Sequence, residues 1–204
     1  VGSQYLEDEF IAKALDARTV KHDRFLDIGA FHPTVFSNTR QLFEAGWSGV
    51  MIEPSPLPME KLLREYGNEP RITLIQAAVG MDPSLTLLHV TEDALSTTDP
   101  AQKERWTDPN DKTKDGGYYG SMFVPQITLA ELFEAVSADF DFVSIDTEGS
   151  SFELLKEMFR LGVHPWCVCF EHDGRYPESF AVIHEQGYKV VYENATNRVI
   201  QLRG

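Results

Sequence analysis

Apolar residues recur at helical spacing near the start of the chain. Leu6, Phe10, Ile11, Ala14 and Leu15 predict an amphipathic helix over 7–17. A short apolar run over 24–29, closed by Asp27 and Gly29, reads as a buried strand. Val35, Phe36, Leu42 and Phe43 predict a helix over 34–45 that Gly46 ends, and residues 49–53 form a second strand. Ser55 is placed as an N-cap with Pro56 at the first helical position, and Leu62, Leu63 and Tyr66 face inward before Gly67. Residues 71–79 predict a third strand and 85–91 a fourth. Thr128 and Glu131 make a capping box for a helix through Val136. A strand over 140–146 follows, then a second capping box, Ser150 with Glu153, and a helix to Gly162. Residues 166–171 are a strand and 177–186 a helix closed by Gly187. Two strands, 188–192 and 198–202, finish the chain around a turn at 193–197.

Strands alternating with helices imply parallel strand–helix–strand units with right-handed crossovers. The last two strands are joined too closely to be parallel. The expected architecture is α/β and Rossmann-like: a seven-stranded, mostly parallel sheet with a C-terminal antiparallel pair and helices on both faces. No linker or repeat divides residues 1–204, so one domain is expected, with an N-terminal helix within 1–20. Residues 96–121 are polar and aperiodic, and are expected to form an irregular loop or lid.

Composition is ordinary for a globular chain: 42% hydrophobic and 25% charged residues in 204. Charge changes the picture, since 32 acidic residues against 18 basic ones give a net charge of -14. With no dense basic run, nucleic acid and anionic membranes are not expected partners. Cys167 and Cys169 are expected to lie on opposite faces of a strand, unpaired, as small buried hydrophobes. No apolar run reaches 18 residues, and Val1-Gly2-Ser3-Gln4 resembles no signal peptide, so a cytoplasmic location is expected.

Open α/β sheets bind ligands beyond the carboxyl ends of their strands. The first such end reads Asp27-Ile-Gly-Ala-Phe-His-Pro33. Gly29 permits a tight turn and close approach to the backbone. Neither G-x-G-x-x-G nor a P-loop is present, which disfavours dinucleotides, and Asp27 suits a ligand with an amino group or a cation. Glu53, at the end of the second strand, is placed for both hydroxyls of a ribose. A nucleoside with a positive or amino-acid end and no phosphates fits both acids, and S-adenosylmethionine is that molecule.

In order along the chain, Phe25-Leu-Asp-Ile-Gly-Ala-Phe-His-Pro33, Ser37-Asn-Thr39, Gly46-Trp-Ser-Gly-Val-Met-Ile-Glu-Pro54, Ala77-Ala-Val-Gly80, Thr128-Leu-Ala-Glu-Leu132 and Asp141-Phe-Val-Ser-Ile-Asp-Thr-Glu-Gly149 resemble the FkbM-like methyltransferases. The resemblance runs from about residue 24 to 173. It implies a class I fold that binds S-adenosylmethionine and methylates hydroxyls of sugars, polyketides or other small metabolites. It further implies that Asp27, Gly29 and Ala30 hold the methionine end, with Ser37 and Asn38 supporting its carboxylate. Glu53 would hold the ribose, and Ala77 would lie near the adenine. Many relatives carry a third acid where this chain has Ser151, so that acidic cluster is incomplete.

Transfer to a hydroxyl needs alignment and removal of a proton. Asp146 and Glu148 end one strand, and Glu171, His172 and Asp173 end the next. Asp146, His172 and Glu148 are the catalytic candidates, with His172 or Asp146 as general base. The competing expectation is a Mg²⁺ held by Asp146, Glu171 and Asp173, since that ion prefers oxygen ligands. Glu148 serves equally well as a helix-dipole cap. His32 is either a substrate contact or a loop hydrogen-bonding residue, while His22, His89, His164 and His184 are expected to serve structure. Trp106, Tyr118 and Tyr119 are either an aromatic lid over the acceptor or incidental to an acidic loop. The expected activity is O-methylation of a small molecule or glycan. The alternatives are a non-catalytic nucleoside-binding module, which would tolerate loss of Asp146, and a Rossmann-like oxidoreductase.

Overall fold

In the computed structural model, residues 3, 6–16, 20–91, 94–106, 120–172, 174 and 176–203 are described. The first half of the chain runs α1 (Glu7–Asp16), β1 (Arg24–Ile28), α2 (Arg40–Glu44), β2 (Ser48–Ile52), α3 (Pro56–Tyr66), β3 (Ile72–Ile75), β4 (Ala78–Gly80) and β5 (Ser84–Val90). The second half runs α4 (Pro100–Trp106), β6 (Gly120–Thr128), α5 (Leu129–Val136), β7 (Phe142–Ile145), α6 (Ser151–Arg160), β8 (Cys167–Glu171), α7 (Tyr176–Glu185), β9 (Tyr188–Glu193) and β10 (Asn197–Leu202).

Seven strands form the expected sheet in the order β3-β2-β1-β7-β8-β10-β9. The first five are mutually parallel, and β10 runs antiparallel to both β8 and β9. Each central strand is apolar on both faces, as a sheet covered on both sides requires. Leu26, Ile28, Val50, Ile52, Val143, Ile145, Val168 and Phe170 meet α5, α6 and α7 through Leu132, Phe152, Leu155, Met158 and Ile183. Phe25, Met51, Phe142 and Cys167 meet α1, α2 and α3 through Ile11, Leu15, Leu42, Met59, Leu62 and Tyr66. Cys167 and Cys169 are both buried and free, and both belong to this second face. Two residues apart, they share a face instead of taking opposite ones, and the rise of the strand, ~6.6 Å over two residues, keeps them apart.

Three features depart from expectation. The run 71–79 is not one strand: β3 stays in the main sheet, while β4 turns out of it. There β4 joins a second sheet of order β4-β6-β5, whose longest member β6 carried no strong alternation. The predicted helix over 34–45 shrinks to α2, five residues long. Phe36 adopts φ 58° and is half exposed, so the chain there is a loop. Inside the segment expected to be irregular, α4 forms behind Asp99, whose carboxylate accepts the Ala101 N–H at 2.9 Å with Pro100 as the first helical residue.

The capping box of Thr128 and Glu131 is present in full. The one at Ser150 and Glu153 is not: Ser150 makes no capping bond. Its hydroxyl lies 2.8 Å from that of Thr147, and the Thr147 N–H donates to Ser151 Oγ at 2.9 Å. The chain after β7 is therefore tied to itself before α6 begins. No described helix is long and apolar enough to cross a membrane.

Candidate active site

The carboxyl ends of β1, β2 and β7 open into a cleft of about 1000 Å³, counting its mouth. Gly29 forms its floor. With φ 84°, it lies so close to the next strand that a Cβ would overlap the Asp146 carbonyl oxygen. The Gly29 and Ala30 N–H groups both donate to Ile52 O, at 2.9 and 3.1 Å, which anchors the turn over β2.

Glu53 is 6% exposed and stands at the centre of one wall. Its two carboxylate oxygens accept the Phe31 N–H at 3.0 Å and the Ser55 N–H at 2.7 Å. Burial nonetheless pushes its pKa from 4.5 up to about 7, against the lowering pull of hydrogen bonds from those N–H groups and from the Ser55 hydroxyl. A carboxylate has about four lone-pair positions, so about one remains for a ligand's hydroxyl donor. Beyond Glu53 the lining is apolar, with Pro54, Pro58, Ala77, Ala78, Val79 and Leu88. That end suits a flat, weakly polar ring.

The opposite end carries Asp146, Thr147 and Glu148. One carboxylate oxygen each from Asp146, Glu148 and Glu171 lies within 4.8 Å of the other two. Glu148 has φ 52°, a left-handed conformation that few side chains adopt without support. The support comes from the segment outside it. The Thr97 hydroxyl donates to the Glu148 carbonyl oxygen at 2.6 Å, and Gln102 Nε2 donates to Glu148 Oε2 at 3.0 Å. Thr97 is itself fixed to β5 by paired backbone bonds with His89, 2.9 and 3.1 Å long. Residues 94–98 complete this wall. The start of the aperiodic segment is thus ordered and lines the cleft, whereas Tyr118, Tyr119 and the Trp106 side chain lie outside the described residues.

Of the sequence-predicted residues, Gly29, Glu53, Ala77, Asp146 and Glu148 line the cleft together. Asp27, Ala30, Ser37, Asn38 and His172 are not among its lining residues. Asp27 is buried on the side of β1 that carries Phe25, where it accepts the Thr39 hydroxyl at 2.6 Å. Burial raises its pKa from 3.8 to about 6, opposed by the Thr39 and Ser144 hydroxyls. Asn38 Nδ2 donates to Ser144 Oγ at 3.2 Å, and Ser37 Oγ accepts the Arg40 N–H at 3.2 Å. These bonds tie the loop before α2 to the ends of β1 and β7.

His172 is buried, with its N–H on Thr196 O at 2.9 Å. Asp173 lies outside the described residues. His32 spends its Nδ1 on the Thr34 and Val35 N–H groups, both at 3.1 Å, which makes it a loop brace. His89 Nδ1 lies 2.8 Å from Ser121 Oγ, a structural contact between β5 and β6. Phe31, Ser55 and residues 94–98 line the cleft without having been singled out as site residues. The Asp99-Pro100 pair was the available signal for the last of these, because it marks a helix start.

The sequence from residue 27 to 190 matches the model of the methyltransferase FkbM domain. No curated protein matches the chain. Among solved structures, a Streptococcus pneumoniae protein described as a candidate tRNA (m1A22) methyltransferase is 12% identical, with a TM-score of 0.49, over 94% of this chain and 69% of that one. The human methyltransferase 10 domain containing protein is 14% identical, with a TM-score of 0.48, over 97% and 81%. The S-adenosylhomocysteine-bound methyltransferase PaMTH1 of Podospora anserina is 13% identical, with a TM-score of 0.47, over 100% and 80%.

Proposed function

The chain belongs to the methyltransferase FkbM domain family, and from that premise we propose that it transfers a methyl group from S-adenosylmethionine to a hydroxyl of a small molecule or glycan. The observation that carries this reading is one continuous cleft with Glu53 in one wall, a glycine floor, and Asp146 and Glu148 at its other end. Glu53 would take the ribose hydroxyls, the backbone of Gly29 would lie under the amino-acid end, and the apolar wall of Ala77 and Ala78 would face the adenine. When bound, S-adenosylmethionine supplies an electrophilic methyl on a positively charged sulfur.

The protein's own share is alignment, exclusion of water and custody of one proton. Residues 94–98 wall off the cleft, which limits water at the transfer point. Asp146 is the group we assign as general base: its carboxylate would accept the proton of the acceptor hydroxyl as the oxygen bonds to the methyl carbon and the carbon–sulfur bond breaks, with S-adenosylhomocysteine as the leaving group. Glu148, held by Thr97 and Gln102, would hydrogen-bond a second hydroxyl of the acceptor and so orient it. Acids at this end favour hydroxyl-bearing or cationic acceptors. They repel phosphates, as does the net charge of -14, so a nucleic-acid acceptor is not favoured.

A second reading has a specific observation behind it. The three oxygens of Asp146, Glu148 and Glu171 are close enough to hold one divalent cation, which would acidify the acceptor hydroxyl. Calorimetric titration with S-adenosylmethionine, S-adenosylhomocysteine and NAD, on wild type and Glu53→Ala, tests the cofactor. Binding of the two sulfur ligands alone, weakened in the variant, is the expected result, and a well-folded sample that binds neither would refute it. A panel of sugar and polyketide alcohols, assayed for methyl transfer with and without Mg²⁺ and chelator, then separates base from metal.

A further inference from the structure

The floor of the cleft and its Glu53 wall are strand ends of the seven-stranded sheet, which cannot part without breaking that sheet. Residues 94–98 are fastened differently. Thr97 is buried and pairs its backbone with His89 at the outer edge of β5, in bonds of 2.9 and 3.1 Å. Its hydroxyl crosses to the turn after β7 and donates to the Glu148 carbonyl oxygen at 2.6 Å. Gln102, in α4, reaches the same residue, with Nε2 on Glu148 Oε2 at 3.0 Å. Gln102 is 5% exposed and does not itself line the cleft. Its side chain therefore acts on the cleft through Glu148.

The two segments are shaped to close on each other. Gly149 has φ 118°, and a Cβ there would stand 3.0 Å from the Asp99 carboxylate and 3.5 Å from Gln102 Cβ. Glycine thus lets residues 97–102 come down on the turn. The side-chain bonds that hold the joint come from a hydroxyl and an amide. A Lys or Arg in place of Gln102 would make a charged pair with Glu148, which is a stronger tie. A neutral donor grips the carboxylate and can still release it. Releasing these bonds and the His89 pair frees residues 94–102 while every strand of the main sheet stays in register.

We propose that residues 94–102 are a gate through which S-adenosylmethionine enters and its product leaves, and that Glu148 is the latch, held by Thr97 and Gln102. This rests on the cofactor reading above and adds to it. The residue assigned to orient the acceptor also holds the cleft shut, so closure and acceptor placement are one event. Cofactor exchange must undo that placement. Opening of such a cover, and not chemistry, is the slow step in many enzymes.

Two measurements test the gate. The first is amide hydrogen exchange on ligand-free wild type. The Thr97 and His89 N–H groups, each bonded to the other's carbonyl, should exchange by local opening well ahead of the Gly29 and Asp146 N–H groups of the main sheet. Saturating S-adenosylhomocysteine should slow that pair. The second is surface plasmon resonance with S-adenosylhomocysteine on wild type, Thr97→Ser, Thr97→Val and Gln102→Leu. Thr97→Val and Gln102→Leu should each raise the association and dissociation rates together, by up to about 10-fold, the worth of one hydrogen bond. The dissociation constant should change far less. Thr97→Ser keeps the hydroxyl and should match wild type. A rise in the dissociation rate alone is the mark of a lost ligand contact and overturns the gate, as do unchanged rates. A Thr97 N–H that exchanges as slowly as that of Asp146 overturns it as well. That measurement needs wild type alone, so it decides the matter even where a variant folds poorly. Failure of wild type to bind S-adenosylhomocysteine would instead bring down the cofactor reading, and this proposal with it.

Discussion

Replacing Glu53 by Gln should change how stability depends on pH, in a direction opposite to that of most carboxylates. Burial raises the Glu53 pKa from 4.5 to about 7. In that interval the folded protein keeps a proton that the unfolded chain has released. Stability therefore falls as pH rises from about 4.5 to about 7, since the native state binds more protons. At 1.36 kcal/mol per pH unit, a rise of about 2.5 in pKa corresponds to about 3 kcal/mol. Water in the open cleft makes this a ceiling.

Asp27 acts with the same sign between 3.8 and about 6. His32 and His89, whose pKa values burial lowers, oppose it below 6.5. Glu69, Glu131 and Glu157 are held low by hydrogen bonds on the surface, so their stabilising contribution is lost only below the ordinary carboxylate range. All of these groups remain in Glu53→Gln, so the difference between the two proteins reports Glu53 together with its smaller coupling to the Asp27 charge. Urea unfolding of ligand-free protein from pH 4.5 to 8 should show wild type losing up to about 1.4 kcal/mol per pH unit relative to the variant. The absolute level of the variant is a poor guide, because an amide offers one acceptor oxygen where the carboxylate offers two to Phe31 and Ser55. Parallel stability curves would refute the reasoning.

Thr39→Val should destabilise the fold by about 1–3 kcal/mol at neutral pH, because it leaves the buried Asp27 carboxylate without the hydroxyl at 2.6 Å; denaturant unfolding reads this directly. Gly29→Ala should fail to bind S-adenosylhomocysteine and should unfold more easily, since the added methyl overlaps the Asp146 carbonyl and the residue must hold φ 84°. Asp146→Asn should bind S-adenosylhomocysteine about as well as wild type but lose methyl transfer by roughly 10²-fold or more, the usual worth of a general base. A variant that stays active would remove Asp146 from the chemistry.

The seven-stranded sheet was legible because its central strands are buried on both faces and read as short apolar runs bounded by glycine and acid. The presence of Gly29 and Glu53 in one cleft was legible for the same reason, since both sit at fixed offsets from those runs. Asp27 shows the limit of such reasoning. Strand position alone placed it near the ligand, but the side chain of Asp27 shares the β1 face of Phe25, and Thr39 takes it up. The helix expected at 34–45 failed because the Ser37, Asn38 and Thr39 side chains bond to neighbours and strand tips, a competition that periodicity does not register. The second sheet escaped notice because β6 exposes much of both faces, including Met122 and Phe123, so apolar alternation carries little information there.

That second sheet also bears on how such a protein diversifies. Residues 81–125 leave the scaffold at β4 and re-enter it at the end of β6, and these two points are clasped together by parallel pairing of Ala78 with Gln126, Val79 with Ile127 and Gly80 with Thr128. Whatever lies between is an excursion with a closed neck. Its length and sequence can change without altering the spacing of β3 and α5 on either side. The excursion also contributes Leu88 and residues 94–98 to the cleft. A lineage could therefore exchange this cassette to meet a new acceptor while inheriting the glycine turn and Glu53 untouched, and a laboratory graft of 81–125 between relatives would retrace the same route.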